Sequence, residues 1–285
     1  MTEIAGANAD QAAYWNDQAG PTWAALQEIM DWQLAPLSRA AIDVLQPQEG
    51  EHILDIGCGA GATSLDLAWR IDPEGSILGV DVSEPLLTLA RARADKAGYA
   101  QVKFVRGDAQ VQPFKAGAFD AVFSRLGVMF FADPKAAFGN IRRALRPGGR
   151  MTFVCWRDAA QNPLLNLPLQ ATASLFDAPA GPAPDPHAPG PFAFADGERL
   201  RGILAGAGFA DVEIAAHSAQ VGSRTVDDAL TAALQIGPMS RLLTSFPDKR
   251  EAAKSLIRDA LVAHQGPDGV LLPSATWIVS ARSPA

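Results

Sequence analysis

The sequence predicts an α/β fold: a Rossmann-like, doubly wound, mostly parallel seven-stranded sheet, with N-terminal helices before it and helical cap insertions after its core. Three observations carry this. Between residues 52 and 156, short apolar runs alternate with amphipathic stretches, which is the rhythm of strand–helix units in a parallel sheet. The first of these runs ends in a glycine-rich turn that opens directly into a helix. Of the 285 residues, 48% are hydrophobic and 19% charged, enough apolar surface to outweigh the chain entropy that folding removes.

Taken in order, residues 1–50 read as helical: a short segment over 12–18, then apolar residues at helical spacing over 22–45, with Pro36 marking a break. His52–Ile56 reads as a strand, Ala62–Ile71 as a helix and 76–80 as a strand. Glu84–Ala97 is a helix between Ser83 as N-cap and Gly98 as stop. Strands follow at Val102–Arg106 and 119–124. Asp133-Pro134 opens a helix reaching Arg146, and Arg146-Pro147-Gly148-Gly149 is a tight turn into a strand over 151–156. Residues 177–191 are too dense in Pro, Gly and Ala for regular structure. Helices over 198–205, 227–235 and 249–264 and strands over 211–219 and 276–282 complete the reading. The chain therefore divides into N-terminal helices covering the site (1–50), a binding core (51–156), and the rest of the sheet (157–285) with cap insertions at 157–196 and 227–264.

The formal net charge is −7, whereas proteins that grip nucleic acid usually present a basic face, so no nucleic acid partner is expected. No run approaches the roughly 20 apolar residues that span a bilayer, which argues against integral membrane association. MTEIAGANADQ has neither a basic region nor an apolar core, so a cytoplasmic protein is expected. Cys58 and Cys155 are too few for a disulfide framework or a zinc site, and no metal is assigned. The helical additions are compatible with a homodimer.

The sharpest motif is ILDIGCGAGA, residues 53–62. Glycines let backbone approach a ligand, and the helix behind them offers free N–H groups. Gly57, Gly59 and Ala62 also satisfy the G-x-G-x-x-A dinucleotide fingerprint. Asp55 lies two residues before the first glycine, where it would face an ammonium and repel a pyrophosphate. Asp81 ends the next strand, where a nucleoside cofactor of either kind needs an acid for its ribose hydroxyls. Asp108 follows the third strand and can accept from the exocyclic amine of adenine, with the Ala109 N–H donating to the ring. Three acids at three successive strand ends suit a cationic, amine-bearing nucleoside such as S-adenosylmethionine.

LDIGCGAG, VDVSEPLL, GDAQVQPFKAGAFDAVFSRLGVMFF and LRPGG stand in the order found in class I S-adenosylmethionine-dependent methyltransferases. The chain resembles most the branch containing the ubiquinone and menaquinone biosynthesis enzymes, closely over 52–156 and more loosely over 197–219 and 276–282. The resemblance implies S-adenosylmethionine as cofactor and S-adenosylhomocysteine as product. Gly57 and Gly59 would line the methionine portion, and Asp55 would hold its amino group directly or through water. Asp81 would bind the ribose hydroxyls, Val82 would lie against adenine, and Asp108 and Ala109 would read its edge. Ser124 would give a backbone carbonyl to the methionine amine, and Asp120 would be structural.

Methyl transfer from a sulfonium is an in-line displacement with an activated leaving group, so alignment and desolvation matter most and no catalytic triad is expected. His187, in the proline-rich loop, is the candidate general base, set against a solvated loop residue. Arg125 could pair with an acidic substrate group or with a helix carboxylate. Met129, Phe130, Phe131 and Trp156 could wall a substrate pocket or belong to the core. Tyr14, Trp15 and Trp23 could cover the sulfonium by cation–π contact or anchor their helices. The expected acceptor is a small apolar or aromatic molecule. The competing readings are an NAD-dependent oxidoreductase and a non-catalytic nucleoside-binding protein.

Overall fold

The computed structural model describes residues 8–176 and 185–285. The N-terminal segment forms three helices, α1 (Ala9–Asp17), α2 (Ala19–Ala25) and α3 (Gln27–Leu45). The expected break at Pro36 is corrected: α3 runs through it, and the chain turns instead at Leu26, with φ −100° and ψ 17°. An interior proline costs about 3 kcal/mol. Burial offsets it, because Met30, Leu34, Leu37, Ala41, Ile42 and Leu45 recur every three or four residues on the core side. Each of the large aliphatic side chains contributes roughly 1.5–3 kcal/mol when buried.

The core alternates as the sequence predicts: β1 (His52–Ile56), α4 (Ala62–Ile71), β2 (Ser76–Asp81), α5 (Glu84–Ala97), β3 (Val102–Arg106), β4 (Phe119–Arg125), α6 (Pro134–Ala144) and β5 (Leu145–Trp156). Two boundaries need correction. The helix expected to reach Arg146 ends at Ala144, and Arg146-Pro147-Gly148-Gly149 belongs to β5, whose register against β4 shifts between Phe119 and Ala121. The irregularity is pinned from the C-terminal segment: the Gly148 N–H donates to the Ser283 carbonyl and the Ser283 N–H to that of Gly149. Ser83 does precede α5, but its hydroxyl donates to the Trp15 carbonyl and leaves the helix end uncapped by its side chain.

Beyond β5 come α7 (Pro163–Ala171), α8 (Gly197–Gly206), β6 (Ala210–Ser223), α9 (Val226–Gln235), α10 (Pro238–Ser245), α11 (Arg250–Val262), a two-residue β7 (Gln265–Gly266) and β8 (Gly269–Arg282). Helices α7 and α10 are missed by the sequence reading; both are short and begin on a proline, and α7 carries Pro168 as well. At a first helical position proline forfeits only a donor that has no partner anyway. Of the proline-rich stretch 177–191, residues 177–184 lie outside the described residues, and 185–191 contain neither helix nor strand.

The strand order is β3-β2-β1-β4-β5-β8-β6, with β7 hairpinned onto β8 as an eighth strand. Strands β1 to β5 pair in parallel, and β8 is antiparallel to both β5 and β6. The order reverses between β1 and β4, which creates a crevice at their carboxyl ends. Beneath it Phe123, Phe138 and Phe153 are fully buried, with Phe138 stacked on Phe153 at 5.6 Å. The cap has a separate apolar cluster of Leu230, Met239, Leu243, Ile257 and Leu261. Among the described residues no helix is long and apolar enough to cross a membrane.

Candidate functional site

The turn after β1 is shaped by backbone proximity. Gly57, Gly59 and Gly61 have φ of +66°, +53° and +81°, a region that side chains with a Cβ disfavour. A Cβ on Gly57 would lie 2.6 Å from the Cα of Gly127, so the turns that end β1 and β4 touch backbone to backbone at the crevice. A Cβ on Gly59 would meet no atom within 4 Å, because the space in front of it is open. Between the two turns Leu126 holds φ +62°, a strained non-glycine position at the same crevice.

Two acids stand at the neighbouring strand ends. Asp81 accepts from the Gly59 N–H through Oδ2 (2.8 Å) and from the Ser83 N–H through Oδ1 (2.9 Å), so it also braces the glycine turn. Burial raises its pKa above the ordinary value, against the pull of those N–H donors. Asp108 is 5% exposed, and its Oδ1 accepts from the Asn8 side chain and the Gln110 N–H, both at 2.9 Å. Asn8 in turn accepts from the Ala132 N–H (2.9 Å) and so ties the N-terminal segment to both strand ends.

The N-terminal helices roof the crevice. Asn16 donates to the Val82 carbonyl (3.0 Å) and accepts from the Glu84 N–H (3.0 Å), which fixes α1 to the turn after β2. Trp15 meets Tyr14, Trp23 and Phe130 edge-on at 5.9, 5.7 and 5.6 Å. Such pairs add roughly 0.5–1.5 kcal/mol beyond their area burial.

Roof, strand ends and cap enclose a cleft of about 230 Å³. Its wall brings together Gly57, Gly59, Asp81, Val82, Asp108 and Ala109 with Tyr14, Trp23, Arg125, Met129 and Trp156. Leu164, Leu165 and Ile236 close the cap side and also line an adjoining apolar chamber of about 40 Å³.

Three expected residues lie elsewhere. Asp55 is wholly buried beneath the turn, where Oδ2 accepts from the hydroxyls of Thr63 (2.7 Å) and Ser64 (2.6 Å). Its Oδ1 has no partner among the described residues. Burial pushes its carboxyl up to about 6, despite those hydroxyls and the Arg125 guanidinium nearby. Ser124 is buried and donates to the Ile56 carbonyl (2.7 Å); the wall there is made by Arg125, Leu126 and Gly127. His187 is exposed and away from the wall, although Pro191 of the same segment reaches it. Asp120 has the structural place expected of it, accepting from the His52 N–H (2.8 Å) and pairing with Arg146 (2.5 Å). Burial works against its charge, but these two partners prevail and lower its pKa. The sequence reading misses Asn8 and Asn16, whose roles depend on contacts far along the chain and leave no local pattern, and Gln33, which borders the cleft.

Residues 53–149 match the family model described as a methyltransferase domain. This segment, about a third of the chain, resembles a methyltransferase domain. It contains the glycine turn, Asp81, Asp108 and Arg125, whereas the roof and the cap lie outside it. Nocamycin O-methyltransferase of Saccharothrix syringae is 35% identical over 116 residues, which are 41% of this chain and 41% of that protein. Demethylmenaquinone methyltransferase of Thermus thermophilus is 39% identical over 116 residues, 41% of this chain and 52% of that protein. The chain thus spans about half the length of the curated relatives it matches. Among solved structures, phosphoethanolamine N-methyltransferase 2 of Haemonchus contortus, in complex with S-adenosyl-L-methionine, superposes with a TM-score of 0.60 at 18% identity. That match covers 99% of this chain and 61% of the other, and shows a shared fold.

Proposed function

We propose that the chain is an S-adenosylmethionine-dependent methyltransferase whose acceptor is a small apolar or aromatic molecule held between the methyltransferase domain and the cap. The observation that carries this reading is the pair Asp81 and Asp108, at successive strand ends on one wall of a cleft whose cap side is mainly aliphatic, with Arg241 beside Leu164, Leu165 and Ile236. The cofactor fits what is there. Asp81 presents a carboxylate for ribose hydroxyls, Val82 an apolar face for adenine, and Asp108 with Ala109 an edge for its amine. The open space before Gly59 admits the methionyl portion, and Trp15 and Trp23 suit the company of a cation. When bound, that cofactor supplies a methyl group on an already activated sulfonium. The relatives named for nocamycin and demethylmenaquinone act on small molecules, in keeping with the aliphatic cap.

The protein's own task is to align and dehydrate the acceptor, which can supply roughly 7–11 kcal/mol of the barrier. No histidine is among the cleft-lining residues, and Asp31, which does line it, is already engaged by Arg93 (2.6 Å) and Gln27. The acceptors that suit such a wall carry a nucleophile that ionises near neutrality, a carboxylate, an acidified phenol or the enol of a 1,3-dicarbonyl. With a net charge of −7, a polyanionic nucleic acid is a poor acceptor.

The test is a thermal shift with S-adenosylhomocysteine beside NAD and buffer, followed by transfer of a labelled methyl group to a panel of aromatic acids and phenols. A ligand at one hundred times its Kd stabilises by about 2.7 kcal/mol, a rise of a few degrees for a protein of this size. A rise with NAD alone sinks the reading.

A further inference from the structure

Two arginines line the cleft, Arg125 and Arg241, and neither meets a carboxylate among the described residues; Arg241 is exposed on the cap, whereas Arg125 is part-buried among the strand ends. Arg125 sits at the last position of β4, and Nη1 donates to Ser38 Oγ at 3.0 Å. Ser38 is fixed in its turn, since its hydroxyl donates to the Leu34 carbonyl (3.2 Å). A guanidinium carries five N–H donors, and this is the one side-chain or backbone partner found for it among the described residues. No carboxylate lies within 4.0 Å of it there. Comparable arginines are treated differently. Arg93 holds Asp31 (2.6 Å) and the Ala60 carbonyl (2.7 Å), and Arg150 holds both oxygens of Glu51 (2.6 and 2.7 Å) with the Leu45 and Gln46 carbonyls.

The sequence leaves two readings of Arg125 open, an acidic substrate group or a helix carboxylate. The structure supplies no contacting helix carboxylate. Burial, with the Arg93 guanidinium nearby, lowers its pKa below the ordinary value, although Asp31, Asp55 and Asp66 lie close enough to favour its charge. Asp31 is spent on Arg93, and Asp55 on Thr63 and Ser64. A second polar group shares the wall in the same condition: Gln33, 7% exposed, borders both the cleft and the adjoining chamber and has no hydrogen-bond partner among the described residues. Neither the remaining Arg125 nitrogens nor the Gln33 amide is sealed from the cleft, so both are open to a ligand that would satisfy them.

We propose that Arg125 is an oxyanion-binding residue of the cleft and takes a carboxylate of a small molecule bound there, in the two-pronged geometry a guanidinium offers. The inference rests on the methyltransferase reading only for where that carboxylate comes from. It belongs either to the methionyl end of the cofactor or to an acidic acceptor, and the chemistry at Arg125 is the same.

The experiment is calorimetric titration of wild type, Arg125→Lys and Arg125→Gln with two pairs of probes. S-adenosylhomocysteine is set against 5′-methylthioadenosine, the same nucleoside without the amino acid. 2-Naphthoate is set against neutral 2-naphthamide, with and without saturating S-adenosylhomocysteine. A loss of tenfold or more for S-adenosylhomocysteine in Arg125→Gln, with methylthioadenosine unchanged, supports the proposal with the cofactor as source. A loss of tenfold or more for naphthoate, with the amide and the nucleosides unchanged, supports it with the acceptor as source. Arg125→Lys, which keeps the charge and loses the fork, should lose less in the same arm. If no carboxylate-bearing probe weakens in either variant while its neutral partner still binds, Arg125 is a strut holding Ser38, and the proposal is overturned. If Arg125→Gln does not fold, the lysine variant alone decides by the same comparison. Wild type that binds neither nucleoside defeats the methyltransferase reading, and the naphthoate arm still judges Arg125.

Discussion

The two halves of the sheet handle ligand space in opposite ways. In the parallel half, β1 to β4, the polar wall and its turn are fixed by hydrogen bonds and close backbone contact: Asp81 to the glycine turn, Asp108 to Asn8, Gly57 against Gly127. In the antiparallel half, β8 and β6 carry a cap whose contribution to the cleft is mainly aliphatic volume from Leu164, Leu165 and Ile236. The cap even has an apolar cluster of its own. The lesson is that a polar ligand imposes residue types at fixed places, whereas an apolar one asks only for space of the right size.

That contrast can be broken at four points. The largest effect should come from Asp81→Ala, which removes a charged acceptor from ligand and turn alike. At roughly 1.5–3 kcal/mol per charged hydrogen bond, S-adenosylhomocysteine affinity should fall about a thousandfold by calorimetry; a loss under tenfold would separate Asp81 from the ligand.

Next, Gly57→Ala should cost about 2–4 kcal/mol in urea unfolding, because its Cβ would meet Gly127 backbone at 2.6 Å in a left-handed conformation. Gly59→Ala, with nothing within 4 Å, should cost only about 1–2 kcal/mol while weakening S-adenosylhomocysteine. Equal destabilisation by both would mean that the turn, and not the contact with Gly127, sets the requirement.

The third point is Asp55. In the folded protein its carboxyl keeps its proton up to about pH 6, against an ordinary value of 3.8. Between these values the native state binds more protons than the unfolded state. The stabilisation is therefore full below pH 3.8 and lost as pH rises through 6, a difference of about 2–3 kcal/mol. Asp55→Asn cannot ionise. Relative to wild type it should gain about that much between pH 4 and pH 8 in denaturant melts, and a pH-independent difference would show that Asp55 is charged throughout.

The smallest effect should follow Leu165→Ala in the cap. S-adenosylhomocysteine affinity should stay within about twofold, and the KM of whichever aromatic acceptor the panel yields should change severalfold. A matching loss of cofactor affinity would erase the division of labour between the halves.

Much of the parallel half is legible in the sequence because its requirements are local. ILDIGCGAGA marks the turn, and acids follow at the ends of the next two strands, so Asp81 and Asp108 can be placed on the cleft before any coordinates exist. Helices α4 and α5 and strands β1 and β3 fall where periodicity, glycine stops and strand composition put them. Asp55 carries the same local signature, and there the reading outruns the geometry. Sequence spacing places it at a strand end, but whether its carboxylate faces the cleft depends on α4, whose Thr63 and Ser64 turn it inward.

What the sequence determined, then, is the parallel core, its glycine turn and the acids of its strand ends, since strand periodicity, glycine dihedrals and the placement of charge are properties of neighbouring residues. What only the tertiary structure decided is the rest of the wall. Asn8 reaches Asp108 across 100 residues, Asn16 reaches Val82 across 66, and Ser38 meets Arg125 across 87. The helices α7 and α10, each opened by a proline, become cap elements only through packing on α9 and α11. Contacts of that range arise from chain closure and burial summed over the whole fold, and no local pattern encodes them.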